Sequence, residues 1–212
     1  DRFSGGLSWS YGFGLPAGPG DVAAPGLALS YGSRSMDGLK ERGQSDGVGY
    51  GWNIDTAEIY WAGVQPHYVY NNWRMGWSPK LMLSLNGRNT RILADDASVP
   101  LEWNWEAAWQ YGKAYRGTVF RGEEDAFSRI VWKYRTPDDG YWEVTTRDGV
   151  RYEFGATEDS RFTTRAPAWS YWTQPGYTDK TTRWRLNRVV YPLGGEVSYT
   201  YWKQRYTDQC DL

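Results

Sequence analysis

Apolar and polar residues alternate strictly along the first periodic stretch of the chain. From Leu7 to Leu15 every odd position is a large apolar residue, while every even position is serine or glycine. A period of two is typical of a β-strand with one buried face, because successive side chains of a strand point to opposite sides. The alternation stops at Pro16 and starts again with Leu27, Leu29 and Tyr31. These stretches predict two half-buried strands joined by a loop rich in proline and glycine.

The same alternation continues on both sides of residues 147–149. A three-residue loop there pairs Val144 with Tyr152 on an apolar face, whereas a two-residue loop would mix apolar and polar partners. The three-residue loop also puts Gly149 at the left-handed position of a type I turn followed by a bulge. We therefore predict a hairpin in this register.

A second hairpin is predicted near the end of the chain. Residues 192–195, Pro-Leu-Gly-Gly, are taken as a four-residue loop. That loop places Val190 opposite Val197 and Leu186 opposite Tyr201, which leaves a mostly apolar face.

Turn signals recur about every ten residues along the chain, which is typical of an all-β protein. Further turns are predicted at Asn86-Gly87 and at 138–140, and residues 101–111 are predicted to be a strand because all six odd positions are apolar. The predicted fold is an antiparallel, hairpin-rich β-sandwich or stack of sheets with little helix. It forms a single module over 1–212, with a candidate internal boundary near 60–75.

Composition supports this picture and excludes some partners. The 212 residues include 14 tryptophans, 17 tyrosines and 25 glycines, a mixture that favours pleated sheets with many turns. The net charge is -1, so the chain lacks the concentrated basic surface that nucleic acid requires. The apolar runs are too short for a membrane span. Because the chain starts at Asp1 without an initiator methionine, we expect it to be part of a longer polypeptide.

Candidate catalytic and metal-binding groups are sparse in the sequence. Glycines 47, 49 and 51 are spaced G-x-G-x-G, whereas a dinucleotide-binding loop requires the spacing G-x-G-x-x-G. The single histidine, His67, has no nearby carboxylate that would orient it as a catalytic base. Acidic residues at 123–125 are a weak candidate for calcium, and turn chemistry explains them better. We predict no catalytic residue, no cofactor and no metal.

Aromatic residues make carbohydrate binding an alternative function, because tryptophan and tyrosine rings stack on sugars. Trp169, Tyr171 and Trp172 lie between two prolines and are the candidates for sugar stacking. Packing in the core or in an interface is the simpler explanation of these rings.

The order of the motifs resembles a known family. The stretch Leu7 to Leu15, the Leu-Ala-Leu-Ser-Tyr run at 27–31 and Gly-Tyr-Gly-Trp at 49–52 are similar to the opening of RHS/YD-repeat proteins, in particular the SpvB-type N-terminal region of Tc-toxin B components. The hairpins after Leu83 match as well. Residues that mark these turns and the core are Gly49, Gly51, Trp52, Asp148, Gly149, Tyr152, Gly155, Tyr199 and Tyr201.

This resemblance implies a structural role and no enzymatic activity. The parent protein would form a sheet-built shell that encloses or delivers a toxin or another cargo. The partners implied are the remainder of the same polypeptide, its cargo and other toxin-complex subunits, and the implied location is secreted or on the bacterial cell surface. The alternatives are a carbohydrate-binding β-sandwich of a secreted protein and a hydrolase whose acid pair would have to face each other in a cleft.

Overall fold

The structure is a computed structural model of the 212-residue chain. It describes residues 6–15, 17–19, 26–36, 48–62, 80–95, 118–124, 127–136, 139–170 and 173–202. Within these ranges the chain forms thirteen strands and one short 3-10 helix. No helix in the described part of the chain is long and apolar enough to cross a membrane. The all-β antiparallel class predicted from the sequence is confirmed.

The first three strands form a small antiparallel sheet of their own. They are β1 (Ser8–Phe13), β2 (Leu27–Gly32) and β3 (Trp52–Asp55), with β2 in the middle. The 3-10 helix, Ser33–Met36, follows β2 directly. Since β1 and β2 alternate apolar with small polar residues, this sheet has one apolar face and one polar face.

The remaining ten strands form a second sheet. Their bounds are β4 (Glu58–Ala62), β5 (Lys80–Leu85), β6 (Arg88–Ala94), β7 (Val119–Gly122), β8 (Arg129–Thr136), β9 (Asp139–Thr145), β10 (Arg151–Phe154), β11 (Arg161–Ser170), β12 (Thr173–Val190) and β13 (Glu196–Ser198). Neighbours follow the order β10-β9-β8-β7-β6-β5-β4-β12-β11, and β10 also pairs with β12. The second pairing closes eight strands, β4 to β10 and β12, into a barrel.

Closure depends on the length of β12. One side of this strand pairs with β4 at residues 183–185, while its other side pairs first with β11 and then with β10. The structure thus contains a closed barrel and a three-stranded sheet, and the predicted sandwich is not confirmed. In the closed barrel the edges of β10 and β12 are hydrogen-bonded to each other, whereas the edge strands of an open sandwich have free edges.

Inward-facing side chains of the barrel strands form the hydrophobic core. Trp142 is fully buried, and its ring lies 5.3 Å from Phe120, 4.9 Å from Trp132 and 6.1 Å from Trp184, all edge-on. Edge-to-face aromatic pairs at these distances add stability beyond the area that they bury. Aliphatic residues, including Ile59, fill the space around this aromatic cluster.

The hairpin between β9 and β10 has the predicted register. Val144 pairs with Tyr152, and the Thr146 amide donates to the Val150 carbonyl at 3.0 Å. Gly149 has a φ of 82°, a left-handed conformation that glycine adopts without steric cost. The Asn86-Gly87 turn between β5 and β6 is confirmed as well, because Leu85 pairs with Arg88 across it.

The predicted register of the last hairpin is wrong by one residue. Val189, and not Val190, pairs with Val197, while Val190 pairs with Glu196. The Tyr191 amide donates to the Gly195 carbonyl at 3.2 Å, so the loop has three residues and not four. This is the turn pattern of the β9–β10 hairpin, and it puts Val189 in the core.

Several predictions fall outside the described residues. These are the strand at 101–111, His67, Asp125 and most of the candidate boundary at 60–75. Residues 58–62 of that region form β4, a strand of the barrel. A single module over 1–212 remains a prediction.

Candidate interaction surface

Large apolar side chains line up on one face of the three-stranded sheet. Trp9 pairs with Tyr31, and Tyr31 pairs with Trp52 on its other side, so these rings form a row across the strands. The next row of the same face is Tyr11, Leu29 and Ile54. We call this set the aromatic face; it also includes Leu7, Phe13 and Leu27.

The aromatic face is exposed along β1. The exposed fractions are 48% for Trp9, 54% for Tyr11 and 42% for Phe13, and Leu7 beside them is 65% exposed. The sequence predicted one buried face for this strand, but every residue of β1 is exposed. A contiguous exposed apolar surface of this kind marks an interaction site in many proteins.

The rings of the aromatic face are arranged by contacts among themselves. Trp9 and Tyr11 are stacked with an angle of 7° between their planes and 6.1 Å between ring centroids. Trp9 meets Trp52 edge-on at 5.6 Å, and Tyr11 meets Phe13 edge-on at 5.2 Å. These contacts hold the side chains in fixed orientations before any partner binds, which lowers the entropy cost of binding.

The turn before β3 places Trp52 in this face. Gly49 and Gly51 have φ values of 114° and 77°, and the Trp52 amide donates to the Gly49 carbonyl at 3.2 Å. The Gly51 carbonyl accepts from the Gly32 amide at 2.9 Å, which ties the turn to the end of β2. The glycine cluster therefore shapes a turn of the sheet.

The other marker residues lie in the barrel. Asp148 is an exposed turn residue that accepts a hydrogen bond from Thr146, whereas Tyr152 is buried in the core. Gly155 directly follows β10, in a left-handed conformation against the ring of Trp184. Asp148 and Gly155 thus lie at turns of the barrel, and Tyr152 lies in its core.

Tyr199 and Tyr201 follow β13 and fix the end of the last hairpin. The Tyr199 amide donates to the Asn187 carbonyl at 2.9 Å, and the Tyr201 hydroxyl donates to the Leu186 carbonyl at 2.6 Å. Burial raises the pKa of both hydroxyls above the ordinary tyrosine value. Asn187, which the sequence reasoning missed, is buried and accepts from the Ala156 amide at 2.9 Å.

The sugar-stacking candidates are not placed by the structure. Trp169 lies in β11, but its side chain is outside the description, and Tyr171 and Trp172 are outside the described residues. Their role as a sugar platform remains a prediction. The described part of the chain contains no group of three or more metal-ligating side chains.

Two glutamates face each other on the outer side of the barrel. Glu143 and Glu153 are partners across β9 and β10, with side chains 13% and 11% exposed. Arg151 Nε lies 3.8 Å from one carboxylate and 3.7 Å from the other, Lys133 Nζ is 3.2 Å from Glu143, and Arg188 Nη1 is 3.8 Å from Glu153. The two carboxylates are thus paired with the cations of Lys133, Arg151 and Arg188.

Comparisons with known proteins place the fold. No protein-family model matches the chain, and no curated protein matches it by sequence. Among solved structures, the N-terminal domain of effector protein SpvB from Salmonella typhimurium strain LT2 matches 92% of the chain, with a TM-score of 0.50 and 15% identity. The chain shares its fold with this SpvB domain. The SpvB-like part of the resemblance is therefore confirmed at the level of fold.

The crystal structure of TcdB2-TccC3-Cdc42 matches as well. The match covers 94% of the chain with a TM-score of 0.51 and 18% identity. The chain spans 55% of the SpvB structure and 8% of the matched chain in TcdB2-TccC3-Cdc42. Both matched chains are thus longer than the chain described here.

Proposed function

We propose that this chain is a non-enzymatic structural module of a large RHS/YD-repeat protein that encloses or delivers a toxin or other cargo. The aromatic face carries the proposal, because a wall element needs a surface that binds neighbouring parts of the same wall. The chain shares its fold with a bacterial effector domain and with part of a toxin complex. This likeness supports the proposal that the parent is a toxin-associated protein that is secreted or located on the cell surface. Other toxin-complex subunits are further candidate partners.

The aromatic face has the properties of an internal contact surface. Trp9 and Tyr11 are half-exposed, while Ser10 between them points to the opposite, polar face of the sheet. Burying one such ring contributes about 2 kcal/mol of apolar transfer free energy. Several of them together would hold a neighbouring segment firmly, so we propose that the remainder of the polypeptide covers this face.

Oxidative footprinting of the parent protein tests this proposal. Hydroxyl radicals should label Trp9 and Tyr11 strongly in the isolated 212-residue chain and weakly in the full-length parent. Trp142 is fully buried and should be protected in both, so it is the internal control. Equal labelling of Trp9 in the two proteins would contradict the proposal.

Paired substitutions separate a specific interface from general stickiness. Trp9→Ser in the parent should loosen the contact and raise protease sensitivity, while Trp202→Ser, at a site 94% exposed, should not.

The coding sequence after Leu212 is the second test. We expect tandem YD repeats there, and their absence would contradict the RHS assignment.

The aromatic face also favours one alternative function, carbohydrate binding. The parallel rings of Trp9 and Tyr11 form an exposed row on which neutral sugar rings would stack. Titration of tryptophan fluorescence with a panel of neutral polysaccharides distinguishes the two functions. A response that Trp9→Ser abolishes would support sugar binding, and a flat response across the panel would exclude it at this face.

A further inference from the structure

A cleft at one end of the barrel is independent of the aromatic face. It lies where the β5–β6 turn, the β7–β8 loop and the β9–β10 turn meet, and its volume is about 540 Å³. The cleft is widely open to solvent, and its volume is within the range of about 300–1,000 Å³ that small-molecule sites occupy. The described residues that line it are Arg88, Phe127, Ser128, Thr146, Arg147 and Asp148.

Two guanidinium groups give the cleft a positive charge. In the described part of the chain, ion pairs are formed by arginines that include Arg121, Arg151, Arg183 and Arg188, and neither Arg88 nor Arg147 has such a partner there. Among the described residues that line the cleft, the carboxylate is that of Asp148, which accepts a hydrogen bond from the Thr146 hydroxyl. Within this described lining two cations therefore outnumber one anion, and guanidinium groups bind carboxylate, sulfate and phosphate oxygens through paired N–H donors.

An exposed aromatic ring forms another wall of the cleft. Phe127 is 71% exposed, and the guanidinium carbon of Arg147 lies 5.2 Å from its ring centroid. This contact holds Arg147 over one face of the ring and leaves most of the ring accessible. An apolar surface beside two cations fits a compact ligand that has both a ring and an anionic group.

The surrounding backbone disfavours an extended peptide as the ligand. The strands that end at the cleft, β5 to β10, are each hydrogen-bonded to neighbours on both sides within the closed barrel. A peptide that binds by adding a strand needs a free sheet edge, which these strands do not offer. A small ligand that enters between the turns meets no such requirement.

We propose that this cleft binds an acidic saccharide. The ring of the sugar lies against Phe127, and its carboxylate is bound by Arg88 and Arg147. The site lies on residues that the proposed structural role does not use, so either proposal can fail without the other.

Calorimetric titration of the 212-residue chain with trigalacturonate tests this site, with its fully methyl-esterified form as the neutral probe. Trigalacturonate should bind, and the ester should bind at least about tenfold more weakly, because losing a hydrogen bond to a charged group costs about that factor. Arg88→Gln and Arg147→Gln should each weaken binding about tenfold, and Phe127→Ala should weaken it as well.

Lys80→Gln is the matched control. Lys80 is an exposed cation at the start of β5, at the opposite end of the barrel from Arg88, so its loss changes the net charge equally and should leave the affinity unchanged. Circular dichroism of each variant verifies that the barrel is folded. No binding of trigalacturonate, equal binding of the ester, or equal weakening by Lys80→Gln would overturn the proposal. Inorganic phosphate that binds as tightly as trigalacturonate would overturn the saccharide assignment.

Discussion

Gly155 shows how a single residue can combine two structural requirements. Its φ is 73°, and a Cβ at this position would lie 2.3 Å from Cδ1 of the Trp184 ring. Gly155→Ala should therefore suffer both backbone strain and overpacking against the buried ring. We expect the free energy of unfolding to fall by about 3 kcal/mol, measured by urea denaturation.

Gly87→Ala is the control for the overpacking contribution. Gly87 has nearly the same φ, 72°, but a Cβ there would meet no atom within 4 Å. Only the backbone strain remains, so the expected loss is about 1 kcal/mol. Equal losses for the two variants would mean that the Trp184 ring moves aside without cost.

The buried hydroxyl of Tyr201 should make the free energy of unfolding depend on pH. Burial raises the pKa of its hydroxyl above the ordinary value of 10.0, so the folded chain keeps a proton that the unfolded chain loses. The associated stability is present below pH 10 and declines as the pH rises above it, by up to about 1.4 kcal/mol per pH unit for each such tyrosine. Tyr201→Phe should make this alkaline decline shallower.

Urea denaturation between pH 7 and pH 11.5 measures the effect. At pH 7 the same substitution should cost about 1 kcal/mol, because the Leu186 carbonyl loses its donor. Tyr11→Phe, at a half-exposed position, serves as the control. If Tyr201→Phe does not change how steeply the free energy of unfolding declines above pH 10, the prediction is wrong, because the Tyr201 hydroxyl would then not be buried in solution.

At the scale of elements, the β9–β10 hairpin and the β12–β13 hairpin have the same kind of turn. Gly149 and Gly194 occupy equivalent positions, and in each hairpin the glycine amide donates to the carbonyl of the last residue before the loop, at 2.9 Å and 3.1 Å. The first register followed from the sequence because only one loop length aligned the apolar residues. The second did not, since Val189 and Val190 are adjacent and both fit an apolar face.

Substitution of these two valines tests the observed register. Val189 is fully buried, whereas Val190 is only partly buried. Val189→Ala should lower the free energy of unfolding by about 2 kcal/mol, and Val190→Ala by less than about 1 kcal/mol. Thermal or urea denaturation measures both, and the reverse order would support the register with Val190 opposite Val197.

At the scale of the whole molecule, the barrel and the small sheet differ in their protection. Strand β10 is hydrogen-bonded to β9 on one side and to β12 on the other, while β1 is exposed along its length. Opening of a region that buries few side chains costs little free energy. In hydrogen exchange measured by mass spectrometry, amides of β10 should therefore exchange more than about tenfold more slowly than those of β1.

Peptides from β5 and β2 extend this comparison to both sheets. Leu81 in β5 is buried, whereas β2 is only partly buried. Equal protection of β1 and β10 in the isolated chain would mean that the aromatic face is already covered, and would remove the main support for its role as a contact surface.

The sequence by itself determined the all-β class, the β1, β2 and β9 strands and the turns at 86–87 and 147–149. These features depend on side-chain alternation and on local turn geometry, which neighbouring residues specify. Tertiary structure alone decided that β10 and β4 both pair with β12, that the barrel closes, and that the apolar face of β1 is exposed. It also brought Arg88, Phe127 and Arg147 into one cleft, because three loops distant in sequence meet only when the barrel closes.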